Sequence, residues 1–456
     1  MKHILLFITL IISEVLFAQT GYDIGIKAKN YQVDSLFVSY KYGGGNVVLN
    51  ILKRNSQGDF VLKSDALLPD AVYYIGTLTK KELFPFIITQ KDSHFDLTLD
   101  FGDEKNYSSK GSKENEVFFE YKHQADVLEN KRKDFLMNRQ LQRKDIITHE
   151  LNQIRRKYVG QNQGTFVAKL IKSDIEWLDS EMTSIKGKDR DKILDYKINN
   201  YLNNIDLSDK TALRLPKTHK LITDYFDRVV HLKPDAVVHA LDSVLWAMGY
   251  KSEMFKFYLP FFTRKYSFPF RPWVDNVYAY LVKKYYTKEM AYWLSDKEIQ
   301  RVHEMAKQKE ESLPGKIIPD ITLVDQNNKS VRLRDIDAKY MILVFWRPGC
   351  SHCRHAMPVL REFQNKYKSK GVKIVTACTR QRSDTYRCWE GVKNEKMEDF
   401  DYNLADKSGK TGFLKKYNIT GIPNIFIIDK NKKIIDKKVA PSKLEEVFEK
   451  VLREEE

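Results

Sequence analysis

From about Tyr22 to Phe101, short apolar runs alternate with turn-forming residues, a texture that predicts strands. The runs are Val33 to Val38, Val47 to Leu52, Phe60 to Leu62, Ala71 to Ile75, Phe86 to Ile88 and Phe95 to Leu99. Breakers at Gly43 to Asn46, Ser56 to Asp59 and Leu68 to Asp70 recur at short, fairly regular spacing, which favours an antiparallel sandwich over a parallel sheet. From about Asn115 to Ser312 the period changes. Glu120 to Tyr158 spaces Leu, Ile and Phe among charged residues without Pro or Gly, which suits long amphipathic helices. Leu221, Ile222, Tyr225, Phe226 and Val229, then Val237, Val238, Leu241, Val244 and Leu245, recur near the helical repeat and read as packing between helices. Pro216, Pro234, Pro260, Pro269 and Pro272 are predicted breaks, and the aromatic residues between Tyr258 and Tyr286 read as helix core rather than a groove.

After Leu313-Pro314-Gly315, strands alternate with helices. Ile321 to Val324, Met341 to Phe345 and Val372 to Ala377 are strand runs, Cys350 to Tyr367 is helical, and Ile425 to Asp429 pairs with Lys433 to Ile435 as a hairpin. Leu444 to Leu452 is a closing helix, and this order implies a mixed sheet flanked by helices. The predicted fold is therefore multidomain: a β-rich, sandwich-like domain over 19–110, an all-α domain over 111–312 and an α/β domain over 313–456.

Length agrees with that division, since 456 residues at the usual ~100–200 per domain make two to four domains. Residues 1–18 stand apart. Lys2 and His3 precede the apolar Ile4 to Ile12, and Val15-Leu16-Phe17-Ala18 before Gln19 reads as a signal peptide cleaved after Ala18. The segment is short of the ~20 apolar residues a membrane span needs, Glu14 interrupts it, and no cysteine stands at the cleavage point for a lipid anchor. The expected location is periplasmic or secreted. Removing Lys2 and Glu14 leaves 77 − 1 basic and 61 − 1 acidic residues, so the formal charge stays at +16. A basic protein outside the cytoplasm rarely meets nucleic acid. Its charge reads as a solvated surface, with peripheral attraction to anionic lipid or acidic partners as the alternative.

All four cysteines, Cys350, Cys353, Cys378 and Cys388, lie in the last third of the chain and serve one domain. Phe345-Trp346-Arg347-Pro348-Gly349-Cys350-Ser351-His352-Cys353 sets two of them three residues apart, after a buried-strand run and at the start of a helix. A thiol there meets the positive end of the helix dipole and unpaired backbone N–H groups, both of which favour the thiolate. A structural disulfide would close so small a loop that it restrains the unfolded chain little. Structural zinc would need two more ligands, and Cys378 and Cys388 are not arranged as a second such pair. Those two read as a structural disulfide pinning a basic loop, with a relay to Cys350 and Cys353 as the sharper alternative.

Four features together carry a resemblance over about 140 residues. They are the strand-then-dithiol unit ending at Cys353, Pro358 five residues on, Gly421-Ile422-Pro423 before a strand, and Ile428-Asp429-Lys430 after it. This region resembles the thioredoxin-fold domain of TlpA-like and ResA-like thiol–disulfide oxidoreductases. The resemblance implies that Cys350 attacks and Cys353 resolves, an order that also fits the greater exposure of the first cysteine in such a turn. It also implies a cis proline at Pro423, with the Ile422 backbone and Trp346 on the substrate side. His352, with Arg347, Arg354 and His355, is placed to favour the Cys350 thiolate. Val344 stands where the family often has a buried acid, Ala356 where a glutamate is common, and Gly349 where tryptophan is usual. The middle region is similar to a helical domain of unknown function found before such domains in exported proteins of Gram-negative bacteria, carried by Leu213 to Pro216, Tyr225 to Asp227, Lys283 to Tyr286 and Ala291 to Leu294. The β-rich start is similar to the small domain that often precedes it.

The expected function is an exported thiol–disulfide oxidoreductase, reductase or isomerase more than oxidase. It would exchange with protein thiols and disulfides, be recycled by a separate membrane-embedded redox partner, and use no metal or organic cofactor. A thiol peroxidase is the first competitor, but Pro348 lies only two residues before Cys350, against the Pro-x-x-x-Thr-x-x-Cys setting of that class. The second is a noncatalytic binding protein with a vestigial dithiol.

Overall fold

The computed structural model describes residues 21–455 except 78, 80–82, 179–188, 231–232 and 268–272. The predicted signal peptide and the breaks at Pro269 and Pro272 lie outside the described residues. The chain divides into two compact units, Met1–Val229 and Val230–Glu456.

In the first unit the six predicted runs, joined by Tyr22–Lys29 and Tyr107–Lys110, which the sequence reading did not single out, form two four-stranded sheets. One holds β1 (Tyr22–Lys29), β4 (Phe60–Ser64), β7 (His94–Asp100) and β8 (Tyr107–Lys110) in the order β4-β1-β7-β8. The other holds β2 (Ser35–Tyr42), β3 (Gly45–Lys53), β5 (Ala71–Gly76) and β6 (Phe84–Ile88) in the order β3-β2-β5-β6. Their inward residues, among them Ile24, Ile26, Leu62, Leu97, Val38, Tyr73 and Phe86, share one core. The antiparallel expectation needs one correction: β1 and β7 pair in parallel from Asp23 with His94 to Lys29 with Asp100, because β1 enters the sheet between strands distant in sequence.

Helices α1 (Lys113–Met137), α2 (Leu141–Gln161) and α3 (Phe166–Ser173) add Phe118, Phe119, Leu151, Tyr158 and Phe166 to that same core. Shorter helical segments follow, α4 (Arg190–Asn200) and α5 (Thr218–Asp224), before the unit ends. The helical stretch read as one domain over 111–312 is therefore divided. Its first half packs on the sheets, and its second half belongs to the other unit.

That second half comprises α6 (Pro234–Met248), α7 (Glu253–Lys265), α8 (Val274–Tyr285) and α9 (Asp296–Glu310). Val237, Leu241, Leu245 and Leu281 are buried with Tyr258, Phe262, Tyr266, Tyr278, Tyr285 and Tyr286, so these aromatic residues are core, while Phe268 and Phe270 lie outside the described residues. Pro260 corrects the break expected of it. It lies inside α7, where it is tolerated as a local irregularity rather than an end.

A seven-stranded sheet follows in the order β10-β9-β13-β12-β11-β14-β15. Its members are β9 (Thr322–Val324), β10 (Ser330–Arg332), β11 (Tyr340–Trp346), β12 (Val372–Gln381), β13 (Tyr402–Asp406), β14 (Asn424–Asp429) and β15 (Ile434–Lys437). β11 runs parallel to β12 and antiparallel to β14, and every one of its residues is buried, as an apolar run between two faces requires. Ile342, Val344 and Trp346 face α10 (Ser351–Tyr367), α11 (Tyr386–Asn394) and α13 (Leu444–Glu455). Met341, Leu343 and Phe345 face Leu323, Leu333 and Tyr417, with Phe413 of the short helix α12 (Phe413–Lys416).

The segment entering this domain is stitched to the β15 edge. Gly315 donates to the Ile434 carbonyl at 2.7 Å, Ile434 to Lys316 at 2.8 Å and Ile318 to Lys432 at 2.9 Å. Asp275 of α8 meets Lys309 of α9 at 2.8 Å, Lys437 of β15 at 2.8 Å and Lys438 at 2.6 Å. Among the described residues no helix is long and apolar enough to cross a membrane.

Candidate active site

β11 delivers the chain to the edge of its sheet at Trp346, and Arg347-Pro348-Gly349 turns it into α10. Gly349 sits at φ 79°, with no atom within 4 Å of where a Cβ would stand. Its requirement is backbone conformation, not space. Cys350 then takes the N-cap position, and its sulfur accepts the Cys353 backbone N–H at 3.3 Å. A sulfur in this place satisfies a donor that the first turn of any helix leaves open, and the acceptor is stronger as thiolate. Both cysteines are free thiols, Cys350 half-exposed and Cys353 only 2% exposed.

The two sulfurs therefore differ in kind. Cys353 lies among Trp346, Ala356, Met357 and Leu360. Burial and its hydrogen bond with Cys350 push its thiol up to about 12, against the opposing pull of Arg347. Val344 and Ala356 are themselves fully buried in that apolar floor, which explains why burial dominates.

Across from the thiol, the Ile422–Pro423 peptide bond is cis, and the Cys350 sulfur lies 4.0 Å from the Ile422 carbonyl oxygen. Ile422 and Pro423 are half-buried, so Cys350, Ile422 and Pro423 form one partly open edge.

Three expected neighbours stand differently. Trp346 is corrected: it is 1% exposed and faces the α10 core, because an inward register position on the central strand has no access to substrate. His352 is exposed on the first turn of α10, while the hydrogen bonds of the Cys350 sulfur go to Cys353 and Ile422. Arg354 pairs with Glu395 at 3.2 Å, and His355 Nδ1 shares a 2.8 Å hydrogen bond with the Ser351 carbonyl.

Cys378 and Cys388 are joined by a disulfide with Cα atoms 6.0 Å apart, both buried. Cys378 is the register partner of Trp346 on β12, and Cys388 lies on α11. Sequence reasoning missed Gly391, also on α11. A Cβ there would stand 2.9 Å from both Pro348 Cβ and Trp346 Cη2. Its signal was available, since glycine inside a helix costs about 1 kcal/mol against alanine and so marks close approach. Among the described residues no three His, Cys, Asp or Glu side chains gather as a metal site.

A capped, half-exposed thiol, a buried partner one turn on and a cis proline facing them at the end of a mixed sheet define a thioredoxin-fold dithiol protein. The redoxin family model matches residues 313–452. The thiol–disulfide oxidoreductase ResA of Bacillus thuringiensis subsp. konkukian (strain 97-27) is 34% identical over 149 residues, which cover 31% of this chain and 82% of that protein. ResA of Bacillus anthracis is 30% identical over 129 residues, 28% of this chain and 70% of that protein. The crystal structure of the thioredoxin domain of a Bacteroides vulgatus thiol–disulfide oxidoreductase is 31% identical, covering 30% of this chain and 96% of that one, with a TM-score of 0.28. Through its C-terminal domain, this chain belongs to the ResA-like family of thiol–disulfide oxidoreductases, and it is an enzyme of that class.

Proposed function

We propose that the protein is exported and acts on protein disulfides as a reductase or isomerase, recycled by a separate redox partner in the membrane. The observation that carries this reading is the half-exposed Cys350 sulfur, held by the Cys353 N–H at 3.3 Å and facing the Ile422 carbonyl at 4.0 Å. Cys350 thiolate attacks one sulfur of a substrate disulfide, and the displaced substrate thiolate takes a proton from solvent. Cys353, once deprotonated, attacks the Cys350 sulfur and releases the second substrate thiol. Two electrons pass to the substrate, and a Cys350–Cys353 disulfide remains for the partner to reduce. The raised Cys353 thiol favours this direction, because a basic thiolate is the better nucleophile and the poorer leaving group.

Export rests on Lys2 to Ala18, and an oxidising compartment suits the Cys378–Cys388 disulfide. Pro423 and Ile422 hold the substrate backbone, His352 adds positive charge at the rim, and the dithiol itself is the only redox group required. Insulin reduction and scrambled-ribonuclease refolding test the proposal. Wild type is active in at least one, and Cys350→Ser loses that activity by 100-fold or more. Equal activity in the two proteins refutes the catalytic reading in favour of a binding protein, and a Cys353→Ser trap identifies the substrate.

A further inference from the structure

We propose that α11 is a positioning clamp for the dithiol: Gly391 seats the Trp346–Cys350 turn, and the Cys378–Cys388 disulfide holds the helix in that seat without exchanging electrons with the site. The inference rests on the oxidoreductase reading and goes beyond it by giving the second cysteine pair a part in setting the first pair's reactivity.

Three attachments converge on one short helix. Cys388 and Gly391 are three residues apart on α11 and therefore neighbours on its surface. The disulfide from Cys388 reaches Cys378, the strand residue in register with Trp346. Gly391 rests where a Cβ would stand 2.9 Å from Pro348 Cβ, 2.9 Å from Trp346 Cη2 and 3.1 Å from Trp346 Cζ3, the first two closer than real Cβ atoms come. Beyond the helix end, Glu395 meets Arg354, the residue after Cys353, at 3.2 Å, and Arg361 of α10 donates to the Glu395 carbonyl at 3.1 Å. α11 and its C-cap residue Glu395 thus touch the turn before Cys350 and the helix after Cys353. What lies between these contacts is the 3.3 Å hydrogen bond from the Cys353 N–H to the Cys350 sulfur, whose geometry depends on how the turn meets the helix. A misplaced turn lengthens that bond and takes support from the thiolate, which stabilises the oxidised form relative to the reduced one. The disulfide is buried under the same contacts, with both cysteines at most 1% exposed, so a substrate or the Cys350 thiolate has no path to it.

The full chain is tested as Gly391→Ala and as Cys378→Ala with Cys388→Ala, beside Gly160→Ala, where a Cβ meets nothing within 4 Å. Glu395→Gln, which leaves the buried contacts intact, serves as a further variant if the first two lose their far-UV circular dichroism spectrum. The readouts are the equilibrium of Cys350–Cys353 with glutathione and the pH midpoint of Cys350 alkylation by iodoacetamide. The clamp variants shift the glutathione equilibrium at least threefold toward the oxidised pair, about 14 mV for a two-electron couple, and raise the alkylation midpoint, while Gly160→Ala matches wild type. Folded clamp variants that match wild type in both readouts overturn the proposal. So does mass mapping in which Cys378–Cys388 opens and closes together with Cys350–Cys353. The glutathione equilibrium is readable whether or not insulin is reduced, so a failure of the enzymatic reading is told apart from a failure of the clamp.

Discussion

Asp275→Asn is the most informative single change in the 230–456 unit. Asp275 is fully buried and faces three ammonium groups, Lys309 and Lys437 at 2.8 Å and Lys438 at 2.6 Å. Burial by itself would raise its carboxyl, yet Lys437, Lys438 and Lys309 hold it at about 2. Burial pushes Lys437 from 10.5 down to about 8 even with the carboxylate beside it, and Lys438 is lowered for the same reason. The 2.5-unit difference at Lys437, at 1.36 kcal/mol per unit, is about 3 kcal/mol of strain from burying its charge. The sign follows from proton counting: the unfolded chain binds more protons between pH 8 and 10.5, so stability rises across that window, the strain being present in full below 8 and relieved above 10.5. Asparagine removes the carboxylate that the three lysines share, and breaking such a buried pair costs about 3–5 kcal/mol. Lys437, at about 8 in the folded chain, is charged at pH 7 and neutral at pH 10, so the loss is larger at pH 7 than at pH 10. Urea titration read by hydrogen-exchange mass spectrometry, followed on peptides from 300–312 and 430–440, measures the loss at both pH values. A loss under about 1 kcal/mol at pH 7, or an equal loss at pH 7 and pH 10, refutes the reasoning.

Three further outcomes follow from the site. Burial among apolar side chains, the larger cause of the raised Cys353 thiol, persists when Cys350 is in a mixed disulfide, so resolution speeds up about tenfold per pH unit from 7 to 9 in quenched-flow mass analysis; a flat rate would reveal a base at Cys353. The same raised thiol makes the reduced unit lose stability as pH rises from 9 to 12, because the folded state there holds the extra proton. Gly349→Ala, forced to keep φ 79° with no clash around its Cβ, lowers the stability of the 230–456 unit by about 1–2 kcal/mol in urea titration; an unchanged midpoint would show that the turn does not need its left-handed residue.

Much of the fold was legible because periodicity is local. β11 reads as a buried strand from its unbroken apolar run, and β2 to β7 read from apolar runs and turn residues. What failed was long-range. Nothing near Asp23 or His94 announces that β1 and β7 run parallel, since that pairing joins segments about 70 residues apart and depends on the other strands. The division of the helical stretch was hidden for the same reason. Phe118, Leu151 and Leu241 are equivalent as apolar helix positions, and only tertiary packing sends the first two to the β-sheets and the third to another core. Pro260 was misread because a proline inside a packed helix leaves the same trace in sequence as one that ends it.

At the site, the legible residues are those whose chemistry and spacing coincide. Cys350, Cys353 and Pro423 each have a type that the exchange step needs, and one turn or one sheet edge brings them together. Trp346 was misplaced because its residue type does not tell which face of a central strand it takes; the register of β11 against β12 decides that, and turns it inward. Gly391 and Asp275 are not singled out by residue type. One matters through the atoms it lacks, the other through three lysines drawn from α9, β15 and the residue after it. Under the clamp proposal, reactivity at Cys350 depends on Gly391 as well as on the motif. The motif supplies the sulfur, while the angle at which the turn meets the helix, and with it the support the thiolate receives, is set by packing contacts that only the folded chain assembles.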